Sequence, residues 1–439
     1  MSSRSVVLGR SRGLGAARRD AVRPIRLWGT RVSTGQRLPG IEGLRALAAL
    51  SILLVHTWAE AGPTGPAKFT PLVDHHLHDL GYGVTLFFTL SGFLLYRPFA
   101  SAILQGSRQL NLLNYLKNRA LRILPGYWAV LLFCALGIGG LFLHSGGGLV
   151  DGRLTNPSLL LRAALLVQNY DPRTMLTGIG PAWSLAVEVV FYLILPLLAW
   201  LAWRLGSARG RSGRVIVALA PPALLLLVGL AGKAIAAFVV PRDRITHGWG
   251  ADWHSVLEYS FVGQADLFSF GMTLAVLHYF WREGRLRLPR HSHLLIALGA
   301  LGSYLVVAKA SPFGSQLSYS PYNTVIAFAC TLLLALVVLA KPERSWLVRL
   351  LEARPLMAIG IISYSVFLWH HPLIRVARHY HLTFDGRSGL LLNLGIILSV
   401  TLVFSFVTYR YIEAPALRLR GGKGGPSALP PVSQVEAAP

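Results

Sequence analysis

The chain has 439 residues, 53% of them hydrophobic and only 14% charged, with a mean hydropathy of +0.52; soluble domains carry about 25% charged residues. The formal charge of +24 would suit a nucleic-acid binder, but the basic residues alternate by loop between long apolar runs, which excludes that class and leaves the lipid bilayer as the partner. The fold class expected is all-α, polytopic and integral to a membrane.

Residues 1–38 are polar and basic and read as a flexible cytoplasmic tail. Apolar runs near the ~20 residues that cross ~30 Å of hydrocarbon then recur. Ten are expected, at 43–60, 80–101, 121–143, 183–203, 215–236, 256–281, 291–308, 322–340, 355–374 and 389–409. Asn156–Gln168 is too short to cross and reads as an interfacial or re-entrant piece. The membrane domain is taken as 39–416, and the Gly/Pro-rich stretch 417–439 as a disordered cytoplasmic tail. Of the 42 Lys and Arg, 30 fall on one side of this arrangement and 11 on the other. The positive-inside bias then places both termini in the cytoplasm and makes odd-numbered spans run outward. An Arg-rich start, an apolar run and Ala59-Glu60-Ala61 also imitate a signal peptide, but the basic region is too long and His56 interrupts the run. Cys134 and Cys330 lie in spans without ligand-type neighbours and read as inert thiols.

Ionisable groups in hydrocarbon are costly, so each asks for a reason. Arg45 and His56 stand 11 residues apart on the first span, about 16 Å and close to three turns, on a shared face. Arg45 also suits a snorkelling anchor, and His56 a hydrogen bond between helices. Glu188 in PAWSLAVEVVFYLILP (181–196) and His370 and His371 in ISYSVFLWHHPLI (362–374) are expected near the depth of His56, a convergence that marks a site. Arg119 and Arg122 share a helical face at the cytoplasmic entrance of the third span, where two guanidiniums suit a phosphate, and Arg97 ends the second span on the same side. The Ser91-Gly92 pair allows close helix approach. Asp266 either lines the same cavity or bonds across helices. His75, His76 and His78 with Asp74 and Asp79 have metal-like spacing in an outer loop, but the signal is weak and no metal is assigned. No P-loop, dinucleotide fingerprint or GxSxG elbow between a strand and a helix is read in the chain.

Six motifs in order carry a resemblance: Arg45 with His56 after ten residues, GVxLFFxLSGFL (83–94), RxxR at 119–122, PAWSLAVEVVFYLILP, SYSVFLWHHP (363–372) and YIEAP (411–415). Over about residues 37–416 the chain resembles the bacterial membrane-integrated acyltransferases of the acyltransferase-3 type, which modify O-antigens, other glycans and some macrolides. The resemblance implies transfer of an acyl group, acetyl by default, from cytoplasmic acyl-CoA as co-substrate, with no bound cofactor, to a hydroxyl of a cell-envelope glycan, glycolipid or small molecule. It implies a multi-pass protein of the bacterial plasma membrane, a required Arg45/His56 pair, and Arg119 and Arg122 serving the donor. Thr85 stands where members commonly carry Asp. The chain ends soon after the tenth span, without the esterase-like domain some relatives carry, so acceptor specificity is expected in the membrane core and outer loops.

The chemistry adds roles. Neutral imidazole can take the proton of an alcohol as it attacks a thioester, which makes His56 the candidate general base and Glu188 the candidate group that orients it. Ser363, Tyr364 and Ser365 are candidate donors to the oxyanion, and His370 or His371 a contact to the acceptor or a proton shuttle. A covalent acyl-histidine relay competes with direct transfer. The reading from a different class is a proton-coupled transporter or lipid flippase using the same groups.

Overall fold

A run of about twenty apolar residues can satisfy its backbone in hydrocarbon only as a helix or within a closed barrel, and this chain is built of helices. The computed structural model describes residues 26–27, 30–31, 38–62, 69–107, 111–145, 148–206, 209–240, 252–289, 291–310, 321–340 and 345–420. Most of the expected N-terminal tail, and the C-terminal one from residue 421, lie outside them. Met1–Leu38 form a unit of their own, in which β1 (Arg26–Leu27) pairs antiparallel with β2 (Thr30–Arg31).

The second unit, Pro39–Pro439, holds the helices. In chain order these are α1 (Ile41–Ala61), α2 (Pro71–Asp79), α3 (Gly83–Gln105), α4 (Leu112–Phe133), then strands β3 (Leu141–Ser145) and β4 (Gly148–Gly152). They continue with α5 (Pro157–Ala164), α6 (Trp183–Gly206), α7 (Arg211–Phe238), α8 (Trp253–Glu258), α9 (Phe261–Arg282), α10 (Ser292–Ala310) and α11 (Pro321–Val338). The last are α12 (Trp346–Leu351), α13 (Arg354–Ile361), α14 (Ser363–His379), α15 (Gly386–Thr408) and α16 (Ala414–Arg418). Among the described residues nine helical segments are long and apolar enough to cross a membrane, and α13 with α14 form a tenth bent by 74°. The chain is a multi-pass membrane protein.

Three expectations need correction. The ninth span is broken, because Ile362 (φ −96°, ψ 7°) leaves helical geometry between α13 and α14. The third span begins at Leu112 rather than 121: Asn111 accepts from the Asn114 backbone N–H at 3.0 Å and caps the helix, so Arg119 and Arg122 sit well inside it. Its polar first turns depress local hydropathy and hide the start. The same span does not reach 143, because the chain turns into the β3/β4 hairpin, which departs from an all-α fold. The short segment near 156–168 is helical only over the eight residues of α5, capped by Asn156.

Close approach of α3 and α9 depends on two glycines. A Cβ at Gly92 would lie 2.2 Å from the Phe268 carbonyl oxygen, and one at Gly271 would lie 2.0 Å from that of Thr89. Gly92→Val must force the helices apart. It is expected to destabilise the fold by about 1–3 kcal/mol, read as a lower midpoint in detergent unfolding.

Candidate active site

The Arg45 end of α1 opens on a cavity of about 410 Å³. Its charged lining comprises Arg45, Arg119, Arg122 and Arg420 with Glu42 and Glu188; Ser91, Ser184, Tyr192, Ser363 and Tyr364 add hydroxyls, and Phe87 and Phe367 an aromatic wall. Positive charge therefore prevails. Arg122 is held 3.3 Å from Glu413, whose other oxygen accepts from Ser365, and its guanidinium lies 5.6 Å from the centre of the Tyr364 ring. Arg119 Nε and Arg420 Nε and Nη2 are shielded from solvent without a hydrogen-bond partner among the described residues. Buried guanidinium nitrogens left open in this way are costly unless an anion completes them.

Glu188 accepts from Ser91 Oγ at 2.6 Å and from Tyr192 Oη at 3.0 Å. It belongs to the arginine cavity and does not orient His56. Tyr364 Oη donates to the Ile123 carbonyl at 2.8 Å and Ser365 to Glu413, so among the described residues Ser363 is the one of the three candidates that lines the cavity with its hydroxyl uncommitted. Arg97 does not line it; the α3 face that does so runs through Val84, Phe87, Ser91 and Leu94, and Arg97 is rotated off the next step of that period. Its guanidinium lies 5.9 Å from the Phe93 ring centre instead.

Three turns up α1 a second cluster forms. His56 Nδ1 is 3.0 Å from His370 Nε2, and the His56 ring centre is 5.1 Å from those of both His370 and His371. The adjacent histidines of α14 thus both reach His56, while Phe367, whose ring centre is 5.8 Å from that of His370, also lines the cavity. His371 Nε2 is 3.0 Å from Glu60 Oε1, Arg375 Nη1 donates to Glu60 Oε2 at 2.7 Å, and Arg375 Nε donates to Asp151 on β4. The β3/β4 hairpin closes this end, with the Phe142 ring 5.0 Å from His371 and 4.4 Å from the Arg375 guanidinium.

Of the groups expected at one depth, His56, His370 and His371 do gather at one end of α1, whereas Glu188 joins Arg45, Arg119 and Arg122, about 16 Å away along it. Glu60, Asp151, Arg375, Glu413 and Arg420 are not among the site residues expected from the sequence, although Glu413 falls in the YIEAP motif. Two left a signal, since His56 and Glu60, and His371 and Arg375, are i, i+4 pairs on shared faces.

The remaining candidates are placed elsewhere. Asp266 bonds across helices, 2.5 Å from Lys233 Nζ on α7 and 2.5 Å from Thr324 Oγ1 on α11. Thr85 donates to Asn323 Oδ1 at 2.5 Å, a neutral tie to α11. His76 Nδ1 meets Tyr304 Oη at 2.8 Å, which donates to Asp79 at 2.9 Å, so these groups join α2 to α10. Among the described residues no three ligand-type side chains are grouped to hold a metal.

A family model described as an acyltransferase domain matches residues 38–410. The chain is 24% identical over 410 residues to the O-acetyltransferase OatA of Staphylococcus aureus, covering 88% of this chain and 58% of that protein. It is 24% identical over 391 residues to the peptidoglycan O-acetyltransferase OatA of Listeria monocytogenes (86% and 55%), and 24% identical over 395 residues to the putative peptidoglycan O-acetyltransferase YrhL of Bacillus subtilis (88% and 55%). The chain spans a little over half the length of these relatives. No solved structure matches it.

Proposed function

The chain belongs to the acyltransferase family whose domain it carries, and from that premise we propose that it moves an acetyl group from acetyl-CoA to a hydroxyl of a cell-envelope glycan, at the bacterial plasma membrane. The names of the relatives favour peptidoglycan as the glycan. One observation carries the reading: an arginine-lined cavity and a histidine cluster are joined end to end by the same two helices, α1 and α14. The positive-inside distribution puts the cavity on the cytoplasmic side with both termini.

Arg45, Arg119, Arg122 and Arg420 bind the phosphates of the donor, their planar forks suited to paired phosphate oxygens. The pantetheine arm then runs along α1 past Phe87 and Phe367 towards His56. The acceptor hydroxyl attacks the thioester carbonyl as His56 takes its proton, forming the ester C–O bond. Collapse of the tetrahedral oxyanion breaks the C–S bond, and the imidazolium returns its proton to the leaving thiolate. Ser363 is the best-placed hydroxyl for the donor end, while Glu188 holds Ser91 and Tyr192 in the cavity wall.

Membrane vesicles supplied with acetyl-labelled acetyl-CoA and peptidoglycan test the reading. Label in an alkali-labile glycan ester, with release of free CoA thiol, is the expected result. Glycan movement across the membrane without ester or thiol would support transport instead. Arg420→Ala is expected to weaken CoA binding about tenfold or more with little change in kcat, measured by titration of the purified protein.

A further inference from the structure

His370 is fully buried, and its Nδ1 lies 3.1 Å from the Val366 carbonyl oxygen one turn back on α14. A carbonyl only accepts, so Nδ1 of His370 carries the hydrogen. In the neutral ring Nε2 is then a lone pair. Facing it at 3.0 Å is Nδ1 of His56, which must donate. The hydrogen of His56 is thereby held on Nδ1, and its Nε2 is left basic.

We propose that His370 is a positioning residue that fixes the tautomer and ring plane of His56, so that His56 presents Nε2 to the acceptor hydroxyl. The proposal deepens the acyltransferase reading and rests on it for the identity of the reacting group. The logic is that of a catalytic triad, in which a third group holds the base by its far nitrogen, but here the third group is an imidazole anchored on a backbone carbonyl. When His56 takes the hydroxyl proton on Nε2, its Nδ1–H keeps the same acceptor, so nothing in the cluster has to reorient.

The other ionisable groups around the pair leave this arrangement intact. On α1, Glu60 is engaged by His371 Nε2 and by Arg375, with Arg378 3.7 Å away; on β4, Asp151 accepts from Arg375. The nearby carboxylates are therefore committed to cations or to His371, and the His56 ring has two acceptors, the Ile52 carbonyl one turn back on α1 and His370 Nε2 facing its Nδ1. Both faces of the pair are also fixed by rings, with Phe367 against His370 and the His371 edge against His56.

The test combines two variants with a readout independent of turnover. His370→Met removes the acceptor, whereas His370→Gln returns one through its side-chain carbonyl. His370→Met is expected to lower kcat about 10²–10⁴-fold with KM for acetyl-CoA unchanged, and His370→Gln to recover at least a tenth of wild-type kcat. Nitrogen-15 spectra of the full chain in nanodiscs, assigned by loss of one ring in His56→Gln, should show His56 protonated at Nδ1 in wild type and in His370→Gln, and mixed in His370→Met. A wild-type His56 protonated at Nε2, or His370→Met turning over like wild type, would overturn the proposal. The Nδ1–H signature without any acetyl transfer by the wild type would uphold the hydrogen-bond order and refute the acyltransferase reading.

Discussion

His56→Ala at wild-type membrane abundance is expected to lower kcat for acetyl transfer by about 10²–10⁴-fold, the usual worth of a positioned general base. The same variant should bind acetyl-CoA as wild type does, because His56 is not among the residues that line the arginine cavity. Arg119→Ala should do the reverse, weakening donor binding while a saturated enzyme keeps most of its kcat. This split follows from the two clusters being separate in space. Single-turnover measurements with labelled acetyl-CoA, each variant titrated to saturation, would separate binding from chemistry. Undiminished kcat in a folded His56→Ala protein would remove the histidine from the reaction. The same experiment without acceptor distinguishes direct transfer, which leaves the protein unlabelled, from a relay, which leaves an acyl group on His56.

Much of the fold was legible because hydrocarbon allows so few backbone solutions, and a twenty-residue apolar run declares itself. What escaped was structure that such a window averages away. The third span begins at Leu112 and carries Lys117, Arg119 and Arg122 in its first three turns, which are polar enough to read as a loop although Asn111 caps them. The expected third span overlaps only the start of β3, and the hairpin itself goes unread although Gly146-Gly147 between two apolar stretches is a turn signal. The break at Ile362 has no Pro beside it, and Ser363-Tyr364-Ser365 interrupt the apolar run too briefly to mark it. For the site, residue types and motifs single out His56, Arg45, Arg119 and Arg122 as candidates, while pairing does not follow from them. Glu188 seemed the natural carboxylate for His56 because both were reckoned from span ends. The structure gives Glu188 to Ser91 and Tyr192, and gives His56 an imidazole partner. Depth estimated from a span boundary carries an error of a few residues, several ångströms at 1.5 Å each, which is enough to assign a partner wrongly. Glu60 stands in an apparent cleavage motif, and its partners Arg375 and His371 are over 300 residues away.

Asp266→Leu is expected to be among the most destabilising single changes in the membrane core, by about 3–5 kcal/mol. Asp266 and Lys233 are both buried, and Thr324 donates to the carboxylate that accepts from the ammonium, tying α7, α9 and α11 together. Removing the acid leaves Lys233 with only the Thr324 hydroxyl at 2.9 Å, in surroundings that solvate a lone ammonium poorly. The reciprocal Lys233→Met should cost less, since Asp266 keeps the Thr324 bond and can be neutralised by one proton. Replacing both together by Met and Leu should restore most of the loss, because a buried ion pair gains little net over apolar packing. A double-mutant cycle on the unfolding midpoint in mixed micelles measures this, and additive losses would show that the two groups do not depend on each other. The cycle also bears on function. The trio does not line the arginine cavity and makes no contact with the histidine cluster, so the folded double variant should transfer acetyl groups at the wild-type rate. A proton-coupled transporter drawing on its buried carboxylates would instead lose turnover when Asp266 is removed, even where stability has been recovered.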